Sequence, residues 1–280
     1  MPRDIDGLTS ATLKHLRERW WDAAFTTFLR ENLQPRAGKR ILDVGCGVGT
    51  AELNLGMLRL SQVELFGVDR LVDRVREARA SMQAHNLRAE FAGADASALP
   101  FSDGAFDSTF CVAVLQHVGD LPGALSEFAR VTKPGGRVLV VEPDNSARYW
   151  YSSVESGTRA FDLGARFFSA VAAARGDVTD PAIGPKLPGM FPQFGVEPLA
   201  VHLFPVSASR LGAPPPAVWE ARRAAIRSQI DRAPDEAIKR LGADYLRMLD
   251  RYAEDATAAG ASFVEIQNTM LFATVGQKEG

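Results

Sequence analysis

The chain has 280 residues, 46% hydrophobic, 24% charged and 9% aromatic, which excludes a disordered or collagen-like chain. Its 32 basic and 34 acidic residues leave a formal charge of −2, which argues against nucleic acid as a partner. Cys46 and Cys111 are too few for a disulfide framework or a cysteine metal site. No apolar run approaches the roughly 20 residues of a membrane span, and the first residues lack the apolar core of a signal peptide. The expectation is a cytoplasmic protein with no membrane contact and no metal.

Residues 8–33 place Leu13, Leu16, Trp20, Ala24 and Phe28 at steps of three and four, the stripe of an amphipathic helix with Thr9 or Ser10 as N-cap. Ile41-Leu42-Asp43-Val44 reads as a short buried strand stopped by glycines, and a second strand covers 63–68. Leu71, Val72, Val75, Ala78 and Met82 mark the next helix. Strands near 88–92, 106–112 and 136–142 follow, with a helix over 120–130. Short apolar strands alternating with helices imply parallel pairing through right-handed crossovers, hence an α/β doubly wound sheet.

Beyond Pro143 the pattern changes. Phe161, Phe167, Phe168 and Val171 suggest one long helix, and 181–192 reads as a loop rich in Pro and Gly. Residues 196–206 and 262–275 read as strands. Between them, two charged helices fill about 217–259, the second with an apolar face of Ile238, Leu241, Tyr245, Met248 or Leu249, and Tyr252.

The densest chemical signal is Asp43-Val44-Gly45-Cys46-Gly47-Val48-Gly49-Thr50. Strand, glycine turn and helix in that order let backbone approach a ligand closely. One βα unit later, Asp69 ends the second strand, where a carboxylate can accept from both hydroxyls of a ribose. The pair indicates a nucleoside-containing cofactor. A dinucleotide fingerprint wants a third glycine where Thr50 stands and an apolar residue where Asp43 stands, so a nicotinamide oxidoreductase is the disfavoured rival.

These residues resemble the class I S-adenosylmethionine-dependent methyltransferases, in the broad group that includes ubiquinone- and sterol-biosynthesis enzymes. The match runs in order through Ile41–Gly49, Phe66–Asp69, Gly93–Phe101, Phe106-Asp107 to Leu115-Gln116-His117-Val118, and Leu125–Val131 with Lys133-Pro134-Gly135-Gly136. The resemblance implies a mostly parallel seven-stranded sheet, a Rossmann-like fold with an antiparallel last strand, and S-adenosyl-L-methionine as cofactor. It implies that Gly45, Gly47 and Gly49 line the methionyl part, that Asp69 holds the ribose with Arg70 beside the adenine, and that Asp95 and Ala96 bind the adenine. Cys111 falls where the family passes its backbone beside the methionine moiety.

The acceptor belongs beyond the carboxyl ends of the parallel strands. His117 is the candidate general base there, or else an orienting or packing side chain. Glu142 either steers a cationic substrate or closes a loop. Asn145, the aromatic Tyr149 and Trp21 (off the first helix's stripe and free to cover the cofactor) are the candidate substrate contacts.

The expected organisation is an N-terminal helical segment covering the cofactor at 1–35, a methyltransferase core at 36–211 and 261–280, and a helical insertion at 212–260. That insertion is expected either to cap the acceptor or to pack against a second copy in a homodimer. The expected reaction is methyl transfer to a small molecule at an N, O, C or S atom. A protein side chain as acceptor, or a non-catalytic cofactor-binding protein, stays open.

Overall fold

The computed structural model describes residues 20–57, 62–174, 180 and 182–280. Seven strands form one sheet: β1 (Arg40–Val44), β2 (Glu64–Asp69), β3 (Glu90–Gly93), β4 (Phe106–Val112), β5 (Thr132–Ser152), β6 (Val196–Leu211) and β7 (Val264–Lys278). Their order is β3-β2-β1-β4-β5-β7-β6. The pairs β1–β2, β1–β4, β2–β3 and β4–β5 are parallel, and the last strands run antiparallel. The order reverses between β1 and β4, the switch point at which open α/β sheets open a crevice beyond the strands' carboxyl ends.

Two compact units divide the chain. The first comprises residues 1–146, 180–206 and 270–280; the second comprises 147–179 and 207–269. Four helices belong to the motif-bearing part of the first unit: α1 (Ala23–Leu33), α2 (Thr50–Met57), α3 (Val72–Ala84) and α4 (Leu121–Val131). The β1 residues Ile41, Leu42 and Val44 are all buried, as expected of a parallel strand covered on both faces. One side of the sheet packs Phe106, Phe128 and Val140 with α4. The other packs Phe110, Leu139 and Leu271 with Phe25 and Leu29 of α1.

Three local readings of the sequence change. The expected helix over 8–33 begins, among the described residues, at Ala23, because the Asp22 carboxylate caps it by accepting from Phe25 N–H at 2.7 Å; Thr9 and Ser10 lie outside the described residues. Trp21 therefore precedes the helix and does not stand clear of its stripe. Its ring meets Phe25 edge-on at 5.2 Å, and it joins the apolar cluster behind the sheet. The described part of the 181–192 segment is helical, in the short turns Gly184–Lys186, α5 (Leu187–Met190) and Phe191–Phe194, each with proline in its first turn, where the missing N–H costs nothing.

The second unit is helical: α6 (Glu155–Ala174), α7 (Pro216–Ile230) and α8 (Glu236–Ala259). The apolar stripe of α8 is covered within this unit. Ile238, Leu249 and Tyr252 pack with Phe167 and Val171 of α6 and with Trp219 and Ile226 of α7. A buried ion pair ties this core together: Arg222 makes a two-pronged contact with Glu265 at 2.6 and 2.9 Å, and the Tyr252 hydroxyl donates to Glu265 at 2.8 Å.

Candidate active site

The site lies in the first unit, at the carboxyl ends of β1, β2 and β4. After Val44 the chain turns sharply over β2, with Gly45 and Cys46 N–H both donating to the Val68 carbonyl at 2.7 and 2.9 Å. Gly45 has φ +79°, and a Cβ there would stand 2.3 Å from a methyl of Val114. Only glycine accepts that backbone at that separation.

Asp69 is 6% exposed and locks the turn. Its Oδ2 accepts from Gly47 N–H at 2.9 Å and its Oδ1 from Leu71 N–H at 2.8 Å, while Arg74 Nη1 stands 3.9 Å from Oδ2. A carboxylate offers about four lone-pair directions, so both oxygens keep capacity for a further donor. Asp95 is arranged alike: Ser97 donates to its Oδ1 through both N–H (2.9 Å) and Oγ (2.7 Å), which holds the carboxyl below its usual range and leaves Oδ2 available.

Between these two acids lies a cavity of about 320 Å³, near the lower end of ordinary small-molecule sites. Gly45, Asp69, Arg70, Asp95 and Ala96 line it, together with Val114, His117 and Asp120 from the β4–α4 connection. His117 ends the short turn Leu115–His117 that follows β4. Six of the residues singled out in the sequence thus meet on one cavity: Gly45, Asp69, Arg70, Asp95, Ala96 and His117.

Others do not. Gly47 holds Asp69 through its N–H, and Gly49 packs against Ala78 of α3, so neither lines the cavity. The Cys111 side chain is fully buried and also absent from the cavity wall, and burial followed by the charge of Glu142 pushes its thiol well up. A thiol so placed is a packing group. Asn145 donates to Gln116 Oε1 at 2.9 Å, and Tyr149 is an exposed residue of the second unit.

Glu142 is fully buried, with Oε1 accepting from Val114 and Leu115 N–H at 2.7 Å each and Oε2 from Gln116 N–H at 3.4 Å. Of its two expected roles, the geometry supports loop closure. Sequence reading passed over Glu52 of α2, which is 1% exposed with neither carboxylate oxygen hydrogen-bonded. It lies against Gly67 in β2, and burial followed by the charge of Asp43 drives its carboxyl well above the usual range. Thr50 through Met57 carries no periodic signal that would have placed that glutamate inward.

A family model described as "Methyltransferase domain" matches residues 35–169. Over 107 residues the chain is 40% identical to the demethylmenaquinone methyltransferase of Thermus thermophilus, covering 38% of this chain and 48% of the relative. Residues 35–169 are therefore similar in sequence to methyltransferase domains. The aligned part of the chain spans less than half the length of that relative. The fold of this chain is shared with the YcgJ protein of Bacillus subtilis (TM-score 0.56, 19% identity, covering 91% of this chain and 98% of that one). It is also shared with a phosphoethanolamine N-methyltransferase of Haemonchus contortus solved with S-adenosylhomocysteine (TM-score 0.53, 14% identity, covering 97% and 58%). Among the described residues no group of His, Cys, Asp and Glu has the arrangement of a metal site, and no helix is long and apolar enough to cross a membrane.

Proposed function

We propose that this chain binds S-adenosyl-L-methionine in the 320 Å³ cavity and transfers its methyl group to a small molecule. The observation that carries the reading is the joint placement of Asp69 and Asp95 on one cavity, each with one face of its carboxylate fixed by backbone N–H and capacity left over. Two acids held apart in this way fit a nucleoside: Asp69 accepts from the ribose hydroxyls and Asp95 from the adenine amino group. Ala96, with no side chain beyond Cβ, leaves room for a flat ring between them. The Haemonchus contortus neighbour, solved with S-adenosylhomocysteine, supports the same cofactor class, and the Thermus relative, a demethylmenaquinone methyltransferase, supports a small-molecule acceptor.

The cofactor supplies a methyl group activated on a positively charged sulfur. The chain's task is to hold the acceptor in line with that carbon and to keep water away, which can supply much of the acceleration. Where the acceptor is a hydroxyl or a protonated amine, a proton must also leave. His117 is the imidazole on the cavity wall and takes that role.

Incubation with methyl-tritiated S-adenosylmethionine and a fractionated bacterial extract tests the reading. Label is expected in the small-molecule fraction. Label in the protein fraction alone would replace the small-molecule acceptor with a side chain, and no cofactor binding at all would overturn the reading.

A further inference from the structure

Ala113, Val114 and His117 line one wall of the cavity, and the backbone there is under strain. Ala113 has φ +56°, a left-handed conformation that costs a residue with a Cβ free energy and that persists only where its surroundings enforce it. Its N–H is held by the Val141 carbonyl at 2.8 Å. The next three N–H groups, those of Val114, Leu115 and Gln116, all point at one carboxylate. We propose that Glu142 is a positioning residue that sets this wall, and through it the fit of the cofactor and the place of His117.

Hydrogen bonds to a charged acceptor are roughly twice as strong as neutral ones, so a carboxylate gathering three N–H groups fixes the turn far more firmly than the turn's own bonds, such as His117 N–H to the Val114 carbonyl at 2.9 Å. The fixed turn carries Val114, whose methyls lie directly over Gly45, and His117, and both residues line the cavity. Glycine loop and β4 turn therefore meet in a contact with no slack. A movement of Val114 would open or fill the cavity at the glycine loop itself. Glu142 lines no part of the cavity and acts only through the turn. This proposal rests on the cofactor reading above.

The variants Glu142→Gln and Glu142→Ala test it, with S-adenosylhomocysteine as the probe in calorimetric titration of the full chain below its unfolding temperature. The glutamine keeps one oxygen for Val114 and Leu115 but turns an amide group toward Gln116 N–H, and should weaken binding about 3- to 10-fold. The alanine strands all three N–H groups and should weaken it about 10- to 100-fold or more. Asp107→Asn serves as the control for mere loss of stability. Asp107 binds Lys39 and Lys133 at the other end of the strands, and its variant should bind the probe as the wild type does. A shift of the His117 ring signals by NMR in Glu142→Gln, absent in Asp107→Asn, is expected as well.

Glutamine-variant affinity within twofold of wild type, with unmoved His117 signals, overturns the proposal even where the alanine variant does not fold. A wild-type chain that fails to bind S-adenosylhomocysteine overturns the cofactor reading instead.

Discussion

Replacing Asp69 by Asn changes one oxygen to an NH₂ group and keeps the shape. In the wild type the carboxylate accepts from Gly47 N–H at 2.9 Å and from Leu71 N–H at 2.8 Å, and it is 6% exposed. Asparagine can satisfy only one of those donors; its NH₂ must face the other. Hydrogen bonds to a charged group contribute about 1.5–3 kcal/mol, and the one that remains drops to the neutral range of about 1 kcal/mol. The loss of folding stability should therefore be about 2–5 kcal/mol, which lowers the thermal midpoint by roughly 4–20 °C for a protein of this size. Cofactor binding loses one charged acceptor for the ribose as well, about 1.5–3 kcal/mol, or a weakening of about 10- to 150-fold. Calorimetric titration with S-adenosylhomocysteine, run where circular dichroism shows the variant folded, separates the two effects. A folded Asp69→Asn variant with wild-type affinity would refute the assignment of Asp69 to the ribose.

Gly47→Val should destroy binding of the same probe while leaving most of the fold, because φ at this position is +56° and a β-branched residue there costs at least about 1–2 kcal/mol and displaces the N–H that holds Asp69. Burial pulls the Asp107 carboxyl up, but Lys39 Nζ, Arg40 N–H and Lys133 Nζ outweigh it and hold it at about 2. A depressed carboxyl stabilises the fold above its unfolded value of about 3.9, so Asp107→Asn should cost about 1–2 kcal/mol at pH 7, allowing for the half-exposed lysines. That difference should vanish as pH falls from about 4 to about 2 in urea unfolding curves. Glu52 has the opposite sign: its carboxyl is raised, so it weakens the fold increasingly as pH climbs above the ordinary glutamate range of about 4.3. Glu52→Met should accordingly raise the thermal midpoint, by about 1–3 kcal/mol of stability, with a larger gain at pH 8 than at pH 5.

The stretch from Arg40 to Glu142 was legible because parallel strands covered on both faces read as unbroken apolar runs, and because glycine turn and acid recur at fixed places in a βα unit. What failed was partnership. The stripe of Ile238, Leu249 and Tyr252 announces a helix face but not what covers it, and α6, distant in sequence, turns out to do so. Cys111 lies one residue before the end of β4, yet strand alternation turns its side chain into the core, where its Sγ lies 3.9 Å from Glu142 Oε1. A glutamate after a strand reads the same whether it meets a ligand or three backbone N–H groups, so Glu142 needed coordinates. Trp21 was misplaced because Asp22, and not a residue before it, supplies the cap for α1.

The central claim is that Asp69 and Asp95 hold an adenosyl cofactor at the carboxyl ends of β2 and β3. A crystal structure of the full chain with S-adenosylhomocysteine tests it most directly. The account predicts both ribose hydroxyls within hydrogen-bond distance of Asp69 and the adenine amino group on Asp95, with Val114 against the glycine loop. A nucleoside bound elsewhere, or one whose ribose avoids Asp69, would contradict it.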